Sequence, residues 1–208
     1  MEDKIVYPDI FKTAWRGLMS QFWLLVGLII GFTIIYSLLI IFSIPEKGES
    51  ISISSIIINI LCMLLIGLFL MGYLKNCMQT LDGEEPQFSS YGQVSRKLLI
   101  FLATHILYSL IVIVGLFFLI IPGIYLGIRL QFYFAFIVEE NCGITESLKK
   151  SWNITKGRSL NLFVLGLIMI LIIFAGSIAL FAGIFIATPL IILMYGYAYR
   201  KLTEPAVQ

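Results

Sequence analysis

Four polar side chains, Asn59, His105, Arg129 and Gln131, stand inside otherwise apolar stretches of this chain. Polar groups are expensive in hydrocarbon, so each is a default site candidate. A guanidinium there can grip a phosphate or carboxylate through several N–H groups. An imidazole can move a proton or ligate a metal, and a carboxamide only hydrogen-bonds. Metal ligation by His105 is poorly supported, because the chain has a single histidine and no carboxylate follows it at helical spacing. No Asp or Glu lies well inside the apolar stretches, which counts against a proton- or sodium-coupled carrier. G-x-S-x-G, H-E-x-x-H and phosphate-cradling glycine loops are absent. These residues assemble no nucleophile and no acid–base pair. The expectation is a non-enzymatic protein that uses neither a metal nor a cofactor.

Arg129 is the most informative of the four. It lies six residues after Gly123, roughly 9 Å along a helix, and Glu139 follows about 15 Å further on. That is too deep for a simple basic flank. The side chain can snorkel outward, bond helix-terminal carbonyls, staple two helices, or line a polar cavity and hold a lipid phosphate or other anion. Gln131 falls on a different face. His105 reaches the same depth band, where an interhelical hydrogen bond is its ordinary use. With Trp15 and Trp152, these three residues form the set of candidate ligand- or lipid-binding residues.

Long apolar elements must carry them. Apolar runs cover 22–42, 53–74, 98–121, 123–138 and 160–198. Roughly 18 or more apolar residues suffice for a helix to cross the bilayer. The last run is long enough for two crossings, so six are expected. Hydrophobic residues make up 60% of the 208 and charged residues 12%, too little charge for a soluble domain of this size. The connections alternate in charge. One set holds Lys4, Lys12, Arg16, Lys75, Arg96, Lys97, Lys149, Lys150, Lys156, Arg158, Arg200 and Lys201; the opposite set holds only Lys47. Lys and Arg stay on the cytoplasmic side during insertion. Both termini are therefore expected in the cytoplasm. Net charge is only +2, and no soluble face exists to carry a nucleic-acid patch. The first run is too long for a signal-peptide core and should remain as a transmembrane helix.

Three segments before crossings one, three and five resemble one another. In 8–20, Phe11, Ala14, Trp15 and Leu18 share one helical face, with Pro8 and Asp9 suiting the start. In 145–157, Ile144, Leu148 and Trp152 make a narrower stripe, Thr145 can cap, and Gly157 can end the helix. In the weaker copy, 89–97, Ser90 and Gln93 have capping-box spacing beside Tyr91, Val94 and Leu98. Aromatic rings flanked by Lys or Arg suit a helix lying in the headgroup plane. The expected fold is thus all-α and polytopic, a single membrane domain over 1–208. It would hold three units, about 8–81, 88–140 and 144–201, each a short interfacial helix plus a transmembrane hairpin.

The far-side connections are short: 43–52, a tight turn at Pro122-Gly123, and a third near 176–183. The acidic loop 79–91 is long enough to touch a partner but not to fold alone. Cys62, Cys77 and Cys142 show no metal or disulfide spacing and read as packing residues. Gly27, Gly31, Gly67, Gly72, Gly166, Gly176 and Gly183 read as points of close helix contact, the first two at GxxxG spacing. Phe132, Tyr133, Phe134 and Phe136, with Tyr195, Tyr197 and Tyr199, read as an interfacial belt or, more sharply, as a lipid pocket.

The stretch from Pro122 through Gly123 and Arg129, then Ile144-Thr-Glu-Ser-Leu-Lys-Lys-Ser-Trp152 with Gly157, resembles the membrane domain of bacterial glycerophosphodiester phosphodiesterases. It is similar, too, to uncharacterised six-helix bacterial membrane proteins, and the loop from Gly83 to Phe88 fits. In those phosphodiesterases hydrolysis belongs to a separate soluble barrel with acidic metal ligands. The resemblance therefore implies a membrane fold and not an activity. Its motif positions are Pro122, Gly123, Arg129, Ser151 and Trp152. The functional expectation is engagement of lipid, anionic lipid included, or of a membrane-protein partner through the interfacial helices. The alternative is a small transporter or channel for an amphipathic or anionic molecule.

Overall fold

The computed structural model describes residues 5–42, 53–178 and 182–204, with Ala182 described by its backbone alone. Among these residues there are ten helices and no strands. Six segments are long and apolar enough to cross a membrane: Phe22–Ile41, Ile53–Leu81, Leu98–Phe118, Ile120–Glu140, Ser159–Ile178 and Gly183–Thr203. The chain is all-α and polytopic. The connection 43–52, with Lys47, lies outside the described residues, as do 179–181 in the third far-side connection.

Helix α1 (Tyr7–Ser20) bends at Gln21 into α2 (Phe22–Ile41). Its amphipathic pattern resolves differently from the expected single face. Ile10, Ala14 and Leu18 are buried, while Phe11 and Trp15 stay exposed. A wide apolar arc on one helix faces two environments, the protein interior and whatever surrounds the bundle. Helix α3 (Ile53–Leu81) is 29 residues long, roughly 43 Å. It consumes the start of the expected acidic loop, leaving 82–88 before α4 (Ser89–Ser95). Ser90 does not cap α4. It lies inside the helix, and its hydroxyl donates to Gln79 Oε1 at 3.0 Å.

Helix α5 (Leu98–Phe118) turns back through one extended residue, Leu119, into α6 (Ile120–Leu130). Pro122-Gly123 is thus not the turn but the first turn of α6, where a missing N–H costs nothing. Gly123 is needed for closeness: a methyl on Gly115 would lie 2.9 Å from the Gly123 Cα. The fourth crossing is broken. Gln131 and Phe132 form a turn between α6 and α7 (Tyr133–Glu140). Asn141, at φ 57°, reverses the chain into α8 (Ile144–Ile154). Gly143 rather than Thr145 is the N-cap of α8, and Gly143 N–H donates to Glu146 Oε2 at 3.4 Å. Helix α8 ends at Ile154 with Thr155 rather than Gly157 as its C-cap, and Gly157, at φ 76°, turns the chain two residues later. Helices α9 (Ser159–Ile178) and α10 (Ala182–Thr203) complete the bundle.

Hairpins α2–α3, α5–α6 and α9–α10 pack within themselves, and α3 lies against both α7 and α10. Each short helix rests on a returning helix: α4 on α3, α8 on α6 and α7, and α1 on α10. The core sits where the returning helices meet. Tyr73, Leu74, Met78, Phe132, Ile137, Leu193 and Met194 are essentially inaccessible there. That half of the bundle is its basic end. The opposite ends of α2, α5 and α9 expose Ile34, Ile35, Phe117, Phe118, Leu171 and Phe174, a surface suited only to hydrocarbon or another apolar body.

Glycine spacing overstated helix contact. Gly67, Gly72, Gly176 and Gly183 are indeed crowded, the last two against each other. Gly27, Gly31 and Gly166 face open space, because nothing lies within 4 Å of an added Cβ. Gly27→Ala and Gly31→Ala are expected to leave thermal unfolding in detergent unchanged or raise it slightly, since Ala is the better helix former by about 1 kcal/mol. Gly176→Ala is expected to lower it, because its methyl would come 2.8 Å from the Gly183 carbonyl oxygen.

Candidate functional site

Arg129 lies at the C-terminal end of α6 and is 3% exposed. It meets the end of α8. Its guanidinium Nη2 donates to the Trp152 carbonyl at 2.7 Å. The same group lies over the Trp152 ring, 4.1 Å from its centroid, and 5.7 Å from that of Tyr125. The Arg129 carbonyl accepts in turn from the Ser151 hydroxyl at 3.0 Å, and the single Thr155 hydroxyl proton is shared among the Ser151, Arg129 and Trp152 carbonyls at 2.8, 3.0 and 3.2 Å. Phe132 N–H, freed by the break, donates to Ser151 Oγ at 3.0 Å. A helix break leaves backbone groups unpaired, and α8 supplies hydroxyls to satisfy them. The buried face of α8 is accordingly polar and small, with Ser147, Ser151 and Thr155 inaccessible beside Leu148. Trp152 and Ile144 of the expected apolar stripe remain partly exposed.

Arg129 therefore makes the carbonyl bond that its depth allowed for, within a desolvated cation–π stack. Among the described residues it has no carboxylate partner, and its Nε is buried without a hydrogen bond. Three of the five positions that carry the resemblance, Arg129, Ser151 and Trp152, meet in this one contact. Thr155 belongs to it as well. Its position one turn after Ser151 on a short amphipathic helix was the available signal.

His105 and Gln131 go elsewhere. The His105 Nδ1 and the Tyr133 hydroxyl are hydrogen-bonded at 2.7 Å, tying α5 to α7, while the rest of the ring is exposed. Gln131 lines an open cavity with Tyr108, Tyr133 and Tyr195, and its backbone carbonyl accepts from Tyr195 Oη at 2.9 Å. Trp15 lies apart on α1, stacked on Phe11 with ring centroids 6.2 Å apart. Asn59 donates to the Ser55 carbonyl one turn back in its own helix.

The expected aromatic belt is largely internal. Phe132 stacks on Tyr195 at 5.1 Å, Phe136 meets Tyr199 edge-on at 5.1 Å, and Phe132, Tyr133, Phe136 and Tyr199 are all buried. Burial wins because these rings face the helices at the centre of the bundle.

Ion pairs tie the basic end together. Glu139 takes Lys75 at 2.9 Å and Arg200 at 3.0 Å, and Arg200 also reaches Asp82 at 2.7 Å. Lys150 bridges Glu140 at 2.9 Å and Glu146 at 3.0 Å. Hydrogen bonding to Lys150 holds the Glu146 carboxyl below its ordinary range, whereas burial pushes the Cys142 thiol up. All three cysteines are buried thiols. Among the described residues no cluster of His, Cys, Asp or Glu has the makings of a metal site.

An uncharacterised protein of Mycobacterium tuberculosis (strain H37Rv) is 29% identical over 133 residues, covering 64% of this chain and 40% of its own length. Uncharacterised proteins of Mycobacterium bovis and of Mycobacterium tuberculosis (strain CDC 1551) match to the same extent. The chain thus spans about two fifths of the length of these curated relatives. No solved structure matches. Residues 100–198 match the membrane domain of glycerophosphoryl diester phosphodiesterase. Across α5 to α10, including the Arg129–Trp152 contact, this integral membrane protein carries the likeness to that domain that its motifs announced.

Proposed function

We propose that the chain is a non-catalytic unit of a bacterial cytoplasmic membrane that engages anionic lipid headgroups through α1 and α8. Its basic end and both termini would face the cytoplasm. A membrane-protein partner on the same helices is the other expected contact. One observation carries the reading. Helix α1 buries Ile10, Ala14 and Leu18 yet leaves Phe11, Trp15 and Met19 exposed at 41%, 43% and 44%. Beside that stripe Lys12 and Arg16 have no ion partner among the described residues. Apolar rings dip below the headgroups while the cations meet phosphate. On α8, Trp152 and Lys149 offer a similar pair. We also infer that 8–81, 88–140 and 144–201 are three copies of one unit, because each short helix rests on a returning helix in the same way.

Each basic residue near an anionic surface is worth about 1 kcal/mol. Lys12→Ala with Arg16→Ala therefore loses about 2 kcal/mol, roughly 30-fold in lipid partition. Mass spectrometry of the purified protein is expected to show phosphatidylglycerol or cardiolipin depleted in the double variant. Equal retention by both proteins contradicts the lipid reading. A second reading, passage of an amphipathic molecule, draws on the broken fourth crossing and is tested by flux in proteoliposomes.

A further inference from the structure

Helices α3, α5, α9 and α10 and the α6–α7 break line an open cavity of about 350 Å³. That volume lies within the range of small-molecule pockets, roughly 300–1,000 Å³. Leu70, Leu74, Met169, Ile191 and Ile192 make its walls apolar. Its polar groups gather at the helix break. The Gln131 side-chain amide lines the cavity, is partly exposed and, among the described residues, has no hydrogen-bond partner. Tyr108 Oη reaches only the Gly127 carbonyl, at 3.5 Å, the limit of a useful bond. Tyr133 and Tyr195 hold their hydroxyls on His105 and on the Gln131 carbonyl, which fixes the rim. No charged side chain lines the cavity. Arg129, two residues away, is held on Trp152 and contributes nothing to it.

We propose that this cavity binds an uncharged amphiphile, with a hydroxyl or ester head at Gln131 and Tyr108 and one acyl chain along the Leu70–Ile192 walls. A free amide offers two donors and one acceptor carbonyl, and an occupant that covered it without pairing it would cost about 1–3 kcal/mol. A neutral ester or hydroxyl removes that cost. An anionic head would lose its water without gaining a cation, so the occupant differs from the lipid assigned to α1. The two sites are independent, and Lys12 and Arg16 play no part here.

The test uses the full chain in proteoliposomes with two photoactivatable probes of equal chain length, a monoacylglycerol and a lysophosphatidylglycerol. The monoacylglycerol is expected to crosslink peptides spanning 131–134 and 191–195 at least fivefold more than the anionic probe. Unlabelled monoacylglycerol should compete, and Gln131→Leu, close in size but apolar, should lower the yield several-fold. Equal labelling by both probes overturns the proposal. So does labelling confined to the outer helices α2 and α5, or a Gln131→Leu protein that crosslinks like the parent, as a merely water-filled cavity would give. If Gln131→Leu fails to fold, competition and peptide position on the parent chain still decide.

Discussion

Arg129→Met is expected to lower the midpoint of thermal unfolding in detergent by about 6–12 °C. The substitution takes the 2.7 Å donor from the Trp152 carbonyl and leaves it only a share of the Thr155 hydroxyl at 3.2 Å, and losing a hydrogen bond to a charged donor costs about 1.5–3 kcal/mol. It also removes the cation from the Trp152 face, worth about 2 kcal/mol when desolvated. Relief of the buried guanidinium works in the opposite direction, since its Nε has no partner. A net loss near 3 kcal/mol follows, at about 2–4 °C per kcal/mol for a chain of this size. Arg129→Lys should not rescue, because an ammonium cannot both lie flat on the indole and reach the carbonyl. Crossing Arg129→Met with Trp152→Leu should show coupling of about 1–2 kcal/mol. Independent effects of the two substitutions would show that the stack does not hold α8 to the break.

The second large effect is at Glu139. Its carboxylate lies between Lys75 and Arg200 and is only 14% exposed. Glu139→Ala leaves Lys75 without its carboxylate and Arg200 with Asp82 alone, at the junction of α3, α7 and α10. Exposed ion pairs are worth about 0–1 kcal/mol, while breaking a buried pair costs about 3–5. This site lies between those limits, so a loss of about 2–3 kcal/mol is expected in denaturation assays. Glu139→Gln should recover part of it through one retained hydrogen bond. Glu204→Ala, which removes the 3.5 Å contact with Lys201 at the exposed end of α10, should change stability by no more than about 0.5 kcal/mol. A Glu139→Ala protein as stable as the parent would mean that solvent screens the cluster fully.

Run length alone made the six crossings legible, because uninterrupted apolar stretches such as those of α2, α5 and α9 have one economical conformation in hydrocarbon. The break in the fourth crossing was not legible. Its residues, from Ile128 to Phe136, are all compatible with a continuous helix. The backbone groups freed at the break are satisfied by hydroxyls on α8, about twenty residues further along the chain. For the same reason Arg129 could be placed at depth but not given its partner, since a carbonyl at Trp152 leaves no trace in local composition. The Gly27–Gly31 spacing misled because periodicity identifies a face without saying what stands opposite it. Phe11 and Trp15 shared an apolar arc with Ala14 and Leu18, and only tertiary packing could divide that arc into a buried and an exposed half.

Everything proposed for α1 and α8 requires the basic end to lie in the cytoplasm. Single cysteines at Lys12, Lys47, Lys149 and Lys201, in a background lacking Cys62, Cys77 and Cys142, can be probed in intact cells with a membrane-impermeant maleimide. The account predicts labelling at position 47 alone, with the other three reacting only after the membrane is opened. Labelling at 12, 149 and 201 from outside, with 47 silent, would contradict it.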